Sequence, residues 1–361
     1  MSEAVNPEML ALAREARGLT QTELAKALGT TQAYISKYES GFLKYPAGDL
    51  AQISRILDFP KSFFLQPDVV YGFGSSCFYH RKRQSISLAD LRRLHAQLNV
   101  FRLQIARLLK AGVEIEPRVA FEPMNLEDYE QAPEFVARAL RASWNLPLGP
   151  ITNLVAVIER AGGIIFKCPF GTSKVDAISL WVPDAPPMFF LNEQAPGDRL
   201  RWTLAHELGH LIMHRVPTPD MEREADRFAA EFLMPEPEIR PHLVKLSLAK
   251  LAQLKPYWKV SMQALVKRAA GLGKITPRQY RTFFMMFGKL GYRMQEPVSI
   301  PSEDPVLVKG ILDLHQKQHG YSIAELSEMV NSTPDRFMET FLPREVKVRV
   351  VDFKPQEHSS S

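Results

Sequence analysis

Apolar residues along the first sixty or so positions recur at helical spacing and are interrupted by glycine and proline. Leu10, Ala13 and Ala16 form one stripe, Leu24, Ala27 and Leu28 a second, and Leu50, Ile53, Ile56 and Leu57 a third; Gly18, Gly29, Gly41 and Pro46 fall between them. This pattern predicts five short helices over residues 7–66. Thr20 followed by Glu23 forms the capping pair that opens the second of them. Residues 68–87, rich in Gly, Ser and basic side chains, read as a linker. Over 88–109 the spacing of Leu91, Leu94, Leu98, Phe101, Ile105 and Leu108 predicts one long amphipathic helix.

Further helices are predicted at 132–144 and from Ile151 to the Gly162-Gly163 stop. Three short β-branched or aromatic runs follow, at 164–168, 177–182 and 188–191, and read as strands. The brief loop from Pro183 to Pro187 makes the last two an antiparallel pair. Run 188–191 reads equally as an edge that pairs with an extended peptide or as a buried core strand. Helices return at 197–215, 221–233, 247–254, 261–270, 277–290, 305–318 and 322–330. A last strand at 346–353 precedes a polar tail expected to be disordered. The fold class is α+β and mostly helical. The expected units are a five-helix domain at 1–67, a basic linker and long helix at 68–131, helices with a small three-stranded sheet at 132–300, and a small helical and strand module at 301–361.

Composition narrows the class. The 361 residues are 45% hydrophobic and 24% charged, as in a globular protein, and no apolar run approaches bilayer length. The first residues lack the basic start and apolar core of a signal peptide, and Cys77 and Cys168 form no ligand-spaced pair. The expectation is a cytoplasmic protein with no disulfide framework and no membrane partner. A net charge of +5 permits nucleic-acid binding without establishing it. Residues 80–118 concentrate basic side chains, among them Arg81, Lys82, Arg83, Arg92, Arg93, Arg102 and Arg107, which fit a solvated helix face or a nucleic-acid contact.

The chemistry concentrates in Ala205-His206-Glu207-Leu208-Gly209-His210. Four-residue spacing on a helix puts both imidazoles on one face, a turn apart, where they can hold one ion. Imidazole suits zinc, and a catalytic zinc site needs a third protein ligand. Glu222, on the next predicted helix, supplies it, with Asp226 one turn on to orient a histidine from behind. Ala225 and Ala229 let that helix come close, whereas Glu224 falls on another side with Phe228 and Glu231 and is expected to be solvated. His214 continues the stripe past His210. Three histidines on one straight helix span about 12 Å, too far for one ion, so His214 is read as a supporting or substrate-facing group. Glu207 is placed to take a proton from an attacking water and pass it to a leaving amine. His315 and His319 share the spacing but lack an adjacent Glu, and are expected to be exposed on a polar helix.

The run from Asp198 to His214, with the segment from Glu222 to Pro235, resembles the ImmA/IrrE metallopeptidases. Gly149-Pro-Ile-Thr-Asn-Leu-Val, Asp176-Ala-Ile-Ser, Trp258-Lys-Val-Ser-Met and Gly291-Tyr-Arg-Met-Gln-Glu-Pro297 extend the resemblance over roughly 135–300. It implies a gluzincin-like domain with Zn2+ on His206, His210 and Glu222, Glu207 as base, and cleavage of a regulatory protein such as a helix-turn-helix repressor. The N-terminal region is similar to the XRE/Cro-type helix-turn-helix. Thr20-Gln21-Thr-Glu-Leu-Ala opens its second helix, and Thr31-Gln-Ala-Tyr-Ile-Ser-Lys-Tyr-Glu-Ser-Gly41 is its recognition helix. In that geometry Thr31, Gln32, Ala33, Ser36 and Lys37 face an operator in double-stranded DNA and Gln21 meets a phosphate. Ile35 and Leu24 belong to the core.

Residues 1–60 carry six basic side chains against seven acidic ones, so DNA binding would need a homodimer or help from the basic 80–118 stretch. Two functions fit. One is a DNA-binding regulator that cleaves a protein partner with zinc. The other is a repressor or antitoxin whose metallopeptidase-like domain senses a ligand or holds a toxin-like partner.

Overall fold

The structure, a computed structural model, describes residues 5–46, 49–72 and 86–342. The last predicted strand and tail, Cys77 and the Arg81-Lys82-Arg83 run lie outside them. Helices α1 (Pro7–Ala16), α2 (Gln21–Leu28), α3 (Gln32–Glu39) and α4 (Leu50–Leu57) follow the predicted stripes. The predicted fifth helix is a 3-10 turn instead, Lys61–Leu65. Pro67 holds Gln66 extended and so stops the turn, with Phe63 and Phe64 both buried in the N-terminal core. Thr20 and Glu23 make the capping box of α2, and Gly29 ends that helix at φ 66°.

Helix α5 (Leu88–Lys110) leads to α6 (Pro133–Ser143), α7 (Leu154–Arg160), β1 (Ile164–Cys168), β2 (Ala177–Leu180) and β3 (Met188–Asn192). Then come α8 (Gly197–Met213), α9 (Met221–Leu233), α10 (Glu236–Ile239), α11 (Leu248–Trp258), α12 (Met262–Gly271) and α13 (Pro277–Lys289). The described chain closes with α14 (Leu307–Lys317), α15 (Ile323–Met329) and α16 (Pro334–Phe341). None of the described helices is long and apolar enough to cross a membrane.

The sheet has the order β1-β3-β2, with β1 parallel and β2 antiparallel to β3. Strand β3 is therefore central and buried along its whole length, so the peptide-pairing edge allowed for it at 188–191 is not available. Both of its hydrogen-bonding sides are already taken. Side chains alternate across the sheet with period two. Ile165, Ala177, Phe189 and Leu191 join a core with Leu204, Leu208 and Phe228 of α8 and α9. On the other face Ile164, Phe166, Ile178 and Phe190 join Leu94, Leu98 and Ile105 of α5 and Ile311, Leu312 and Phe337 from the C-terminal helices.

Helix α5 belongs to a second core as well. Its Ala96, Val100 and Leu103 complete the interior of the N-terminal helices with Met9, Leu10, Ile53 and Phe63. Segment 300–307 is fastened to the sheet layer. The Glu303 carboxylate accepts hydrogen bonds from the Leu154 and Val155 amides at 2.7 and 3.0 Å and pairs with Arg201. In return Glu159 accepts from the Val306 and Leu307 amides at 2.9 and 2.8 Å. At Gly197 an added Cβ would lie 2.4 Å from the Ile300 carbonyl oxygen, so this segment crosses the start of α8 where only glycine fits.

His315 corrects the sequence reading. It is fully buried and its Nε2 lies 2.8 Å from the Leu108 carbonyl oxygen. Val308, Ile311, Leu312 and His315 form one apolar face of α14, and His315 sits at its end. His319 is exposed as expected.

Candidate metal centre and helix-turn-helix face

Helices α8 and α9 are brought together by small residues. An added Cβ at Gly209 would sit 2.9 Å from the Phe228 ring, and Ala225 and Ala229 of α9 are fully buried. This approach sets Glu222 beside the histidine face of α8. His206 Nε2 and His210 Nε2 lie 3.0 Å apart, and Glu222 oxygens lie 3.5 and 3.1 Å from them. One donor atom from each of the three residues falls within 4.8 Å of the others, the only such group among the described residues.

The far side of each imidazole is also held. His206 Nδ1 is 3.0 Å from Asp226 Oδ1, to which it donates, and its Nε2 faces Glu222. His210 Nδ1 is 3.0 Å from His214 Nδ1, and His214 Nε2 is 3.0 Å from Glu224 Oε2. Burial, with the neighbouring His210 and His206, lowers the His214 pKa to about 3, so its ring is neutral near pH 7. A neutral His214 that donates to Glu224 from Nε2 must accept at Nδ1, and it therefore accepts the Nδ1 proton of His210. The network thus turns the Nε2 edge of both rings to one place, with the Nδ1 of each held from behind.

Glu224 corrects the expectation that it is solvated: its side chain is only 18% exposed and faces His214. His214 caps α8 in an extended conformation, φ −112° and ψ 92°, so it leaves the helical stripe and turns behind His210. It lies outside the three-residue cluster.

Charge follows the same geometry. Burial opposes ionisation of Glu222, but hydrogen bonds from His206 and His210 outweigh it and hold the carboxyl well below the usual range. Burial would lower His206, yet its bonds to Asp226 and Glu222 and the nearby Glu207 raise it to about 9. Two imidazole nitrogens and one carboxylate oxygen, each preoriented, form a donor set suited to zinc. Glu207 is fully buried beside this cluster and accepts a 2.6 Å hydrogen bond from Ser179 Oγ of β2. Ser179 was not singled out from sequence, although it ends the Asp176-Ala-Ile-Ser run.

If the Glu224–His214 pair fixes His210, Glu224→Ala, which removes the acceptor of His214 Nε2, should weaken zinc binding about 10- to 100-fold, the usual cost of losing such a partner. Competition against a chelator measures it, and an unchanged affinity would remove the pair from the site.

In the N-terminal helices Thr31, Gln32, Ala33 and Lys37 are exposed at α3, and Ser36 is half-buried. Ile35 and Leu24 are fully buried, as read from sequence. Gln32 Nε2 donates to Gln21 Oε1 at 2.7 Å, and Gln21 Nε2 donates to Glu39 Oε2 at 2.8 Å. The two glutamines expected at DNA are therefore linked in one chain across α2 and α3.

Fold and site together define a helix-turn-helix protein with a metallopeptidase-type domain. Residues 10–63 match the family model described as helix-turn-helix, and residues 158–270 match the model described as the IrrE N-terminal-like domain, a peptidase family. The chain thus carries both parts of the fusion that its sequence resembles. The second match spans the sheet, α8 and α9, and so contains the whole histidine and glutamate cluster. A search of curated proteins returned no match.

Proposed function

We propose that this protein is a DNA-binding regulator whose zinc-dependent endopeptidase domain cleaves a regulatory protein partner. The observation that carries the reading is the convergence of His206, His210 and Glu222 with the buried Glu207 carboxylate alongside. Zinc held by these three residues supplies Lewis-acid chemistry toward water and a peptide carbonyl. Asp226 and the His214–Glu224 pair keep the two imidazoles turned toward the ion. Glu207 accepts the proton of the attacking water and delivers it to the departing amine. Ser179 restrains one Glu207 oxygen by its 2.6 Å hydrogen bond and so limits the directions in which the carboxylate can take up that proton.

The partner fits the fused module: a helix-turn-helix repressor or a toxin-like protein acting on the same operator. Zinc-loaded protein incubated with purified candidates of both kinds should generate new termini in one of them, read by mass spectrometry, and a chelator should stop the cleavage. Intact candidates in the presence of stoichiometric zinc would overturn the endopeptidase reading.

A further inference from the structure

The helix-turn-helix unit is short of the positive charge that DNA affinity requires. Residues 1–60 hold six basic side chains against seven acidic ones, and the structure withdraws two of the six. Arg14 is buried and spends its guanidinium on Glu39, at 2.6 and 2.9 Å, and on the Leu19 carbonyl. Arg17 donates to the carbonyls of Leu57 and Asp58, both at 2.7 Å. Lys26, Lys37, Lys44 and Arg55 remain.

The basic stretch that follows divides in two. Arg102 is buried and donates to the Val69 carbonyl, and Arg107 pairs with Asp68, so both fasten segment 66–71 to α5. Arg92 and Arg93 are exposed and make no ion pair among the described residues. They line the same groove as Thr20, Gln21 and Gln32 at the starts of α2 and α3, and Ser36 within α3. The Arg93 stem lies across Gly18, with its Cδ 3.0 Å from where a Cβ there would stand, and its Nη2 lies 3.4 Å from the corresponding point at Gly171. The carboxylates of that groove, Glu15 and Glu39, share the single charge of Arg14, so Arg92 and Arg93 turn the balance of its lining from negative to positive. Ala96, Val100 and Leu103 in the middle of α5 are part of the module's own core, so this helix is packed against the module just beyond the turns that carry Arg92 and Arg93.

We propose that the DNA-contacting surface extends from α3 onto the first turns of α5, where Arg92 and Arg93 bind the phosphate backbone flanking the groove that α3 enters. The DNA-reading unit is then the four helices together with α5. This rests on the DNA-binding reading of the module, and it names where the missing phosphate contacts come from.

Each phosphate contact contributes about −0.9 to the slope of log affinity against log salt, hence about 0.9 of a decade at roughly 0.1 M salt. The test titrates the full zinc-loaded chain against a labelled mixed-sequence duplex, read by fluorescence anisotropy over a salt series. Arg92→Gln/Arg93→Gln should lower affinity about 10- to 100-fold near 0.1 M salt and flatten the slope by about two. Arg92→Lys/Arg93→Lys keeps the charge and should retain most of the slope. Arg278→Gln/Arg281→Gln removes equal charge from the exposed face of α13 and should leave the slope unchanged. A wild-type slope in the Arg92→Gln/Arg93→Gln protein would overturn the proposal while sparing DNA binding, and so would equal flattening in both Gln double variants. A wild-type chain that binds no duplex would overturn the DNA-binding reading and this proposal together. Unchanged thermal melting of each variant separates lost contacts from lost fold.

Discussion

Glu207→Gln should leave zinc binding stoichiometric and lower the cleavage rate by about 10²- to 10⁴-fold, the range that a positioned general base supplies. Glu207 is not one of the three converging donors, so its amide counterpart leaves those donors in place. The side chain is fully buried, and Ser179 Oγ can still donate to the amide oxygen, so shape and that hydrogen bond survive. Replacing a buried carboxylate by a neutral isostere costs little fold stability. Rate constants on the cleaved partner, with metal content measured on the same sample, check the prediction. A variant that cut at the wild-type rate would show that Glu207 does not move the proton. A variant that lost zinc along with activity would mean that it helps hold the site. Regulation that persisted unchanged in the inactive variant would favour the non-proteolytic alternative, in which the domain senses or holds a partner.

Glu231→Ala should destabilise the fold by about 3–5 kcal/mol, since it strands a buried cation. The Glu231 carboxylate is fully buried at the end of α9 and accepts from Arg138 Nε at 2.7 Å and the Glu236 amide at 3.1 Å. Its other oxygen pairs with Arg268, itself buried, whose remaining contact is the Met234 carbonyl at 3.1 Å. Without Glu231 the Arg268 guanidinium keeps its burial and loses its carboxylate. The pair between Arg227 of α9 and Glu134 of α6 offers a comparison. Its geometry is as good, at 2.9 and 2.7 Å, but its side chains are 44% and 24% exposed. Arg227→Ala should therefore cost no more than about 1 kcal/mol. Urea midpoints of the two variants decide the matter, and similar shifts would contradict the burial argument. Because α9 also carries Glu222 and Asp226, the Glu231 variant should bind zinc more weakly as well.

Much of this architecture is readable in the chain itself. The 221–233 expectation matches α9 residue for residue, and the strands at 164, 177 and 188 begin where the β-branched and aromatic runs begin. His206, His210 and Glu222 follow from helical spacing because two regular helices in close contact carry them. Features that depend on chain reversal are harder to read. Glu224 lies two positions from Glu222 and meets His214 only because that histidine leaves the helix at its cap. The central position of β3 arises from a crossover, although the unbroken Met-Phe-Phe-Leu run signals burial on both faces. His315 was legible after all, since it extends the stripe of Val308, Ile311 and Leu312. Helix α16 lies outside the expected elements, although Pro334 at its first turn and the Phe337–Phe341 pair one turn apart signal it.

The double membership of α5 has a mechanical consequence. One face of this helix is a wall of the chamber that α1 to α4 enclose, and the opposite face is a wall of the one beneath the sheet. A shift that repacks either side must displace the same rod. A load placed on α1 to α4 and one placed on the sheet would therefore bear on the same helix.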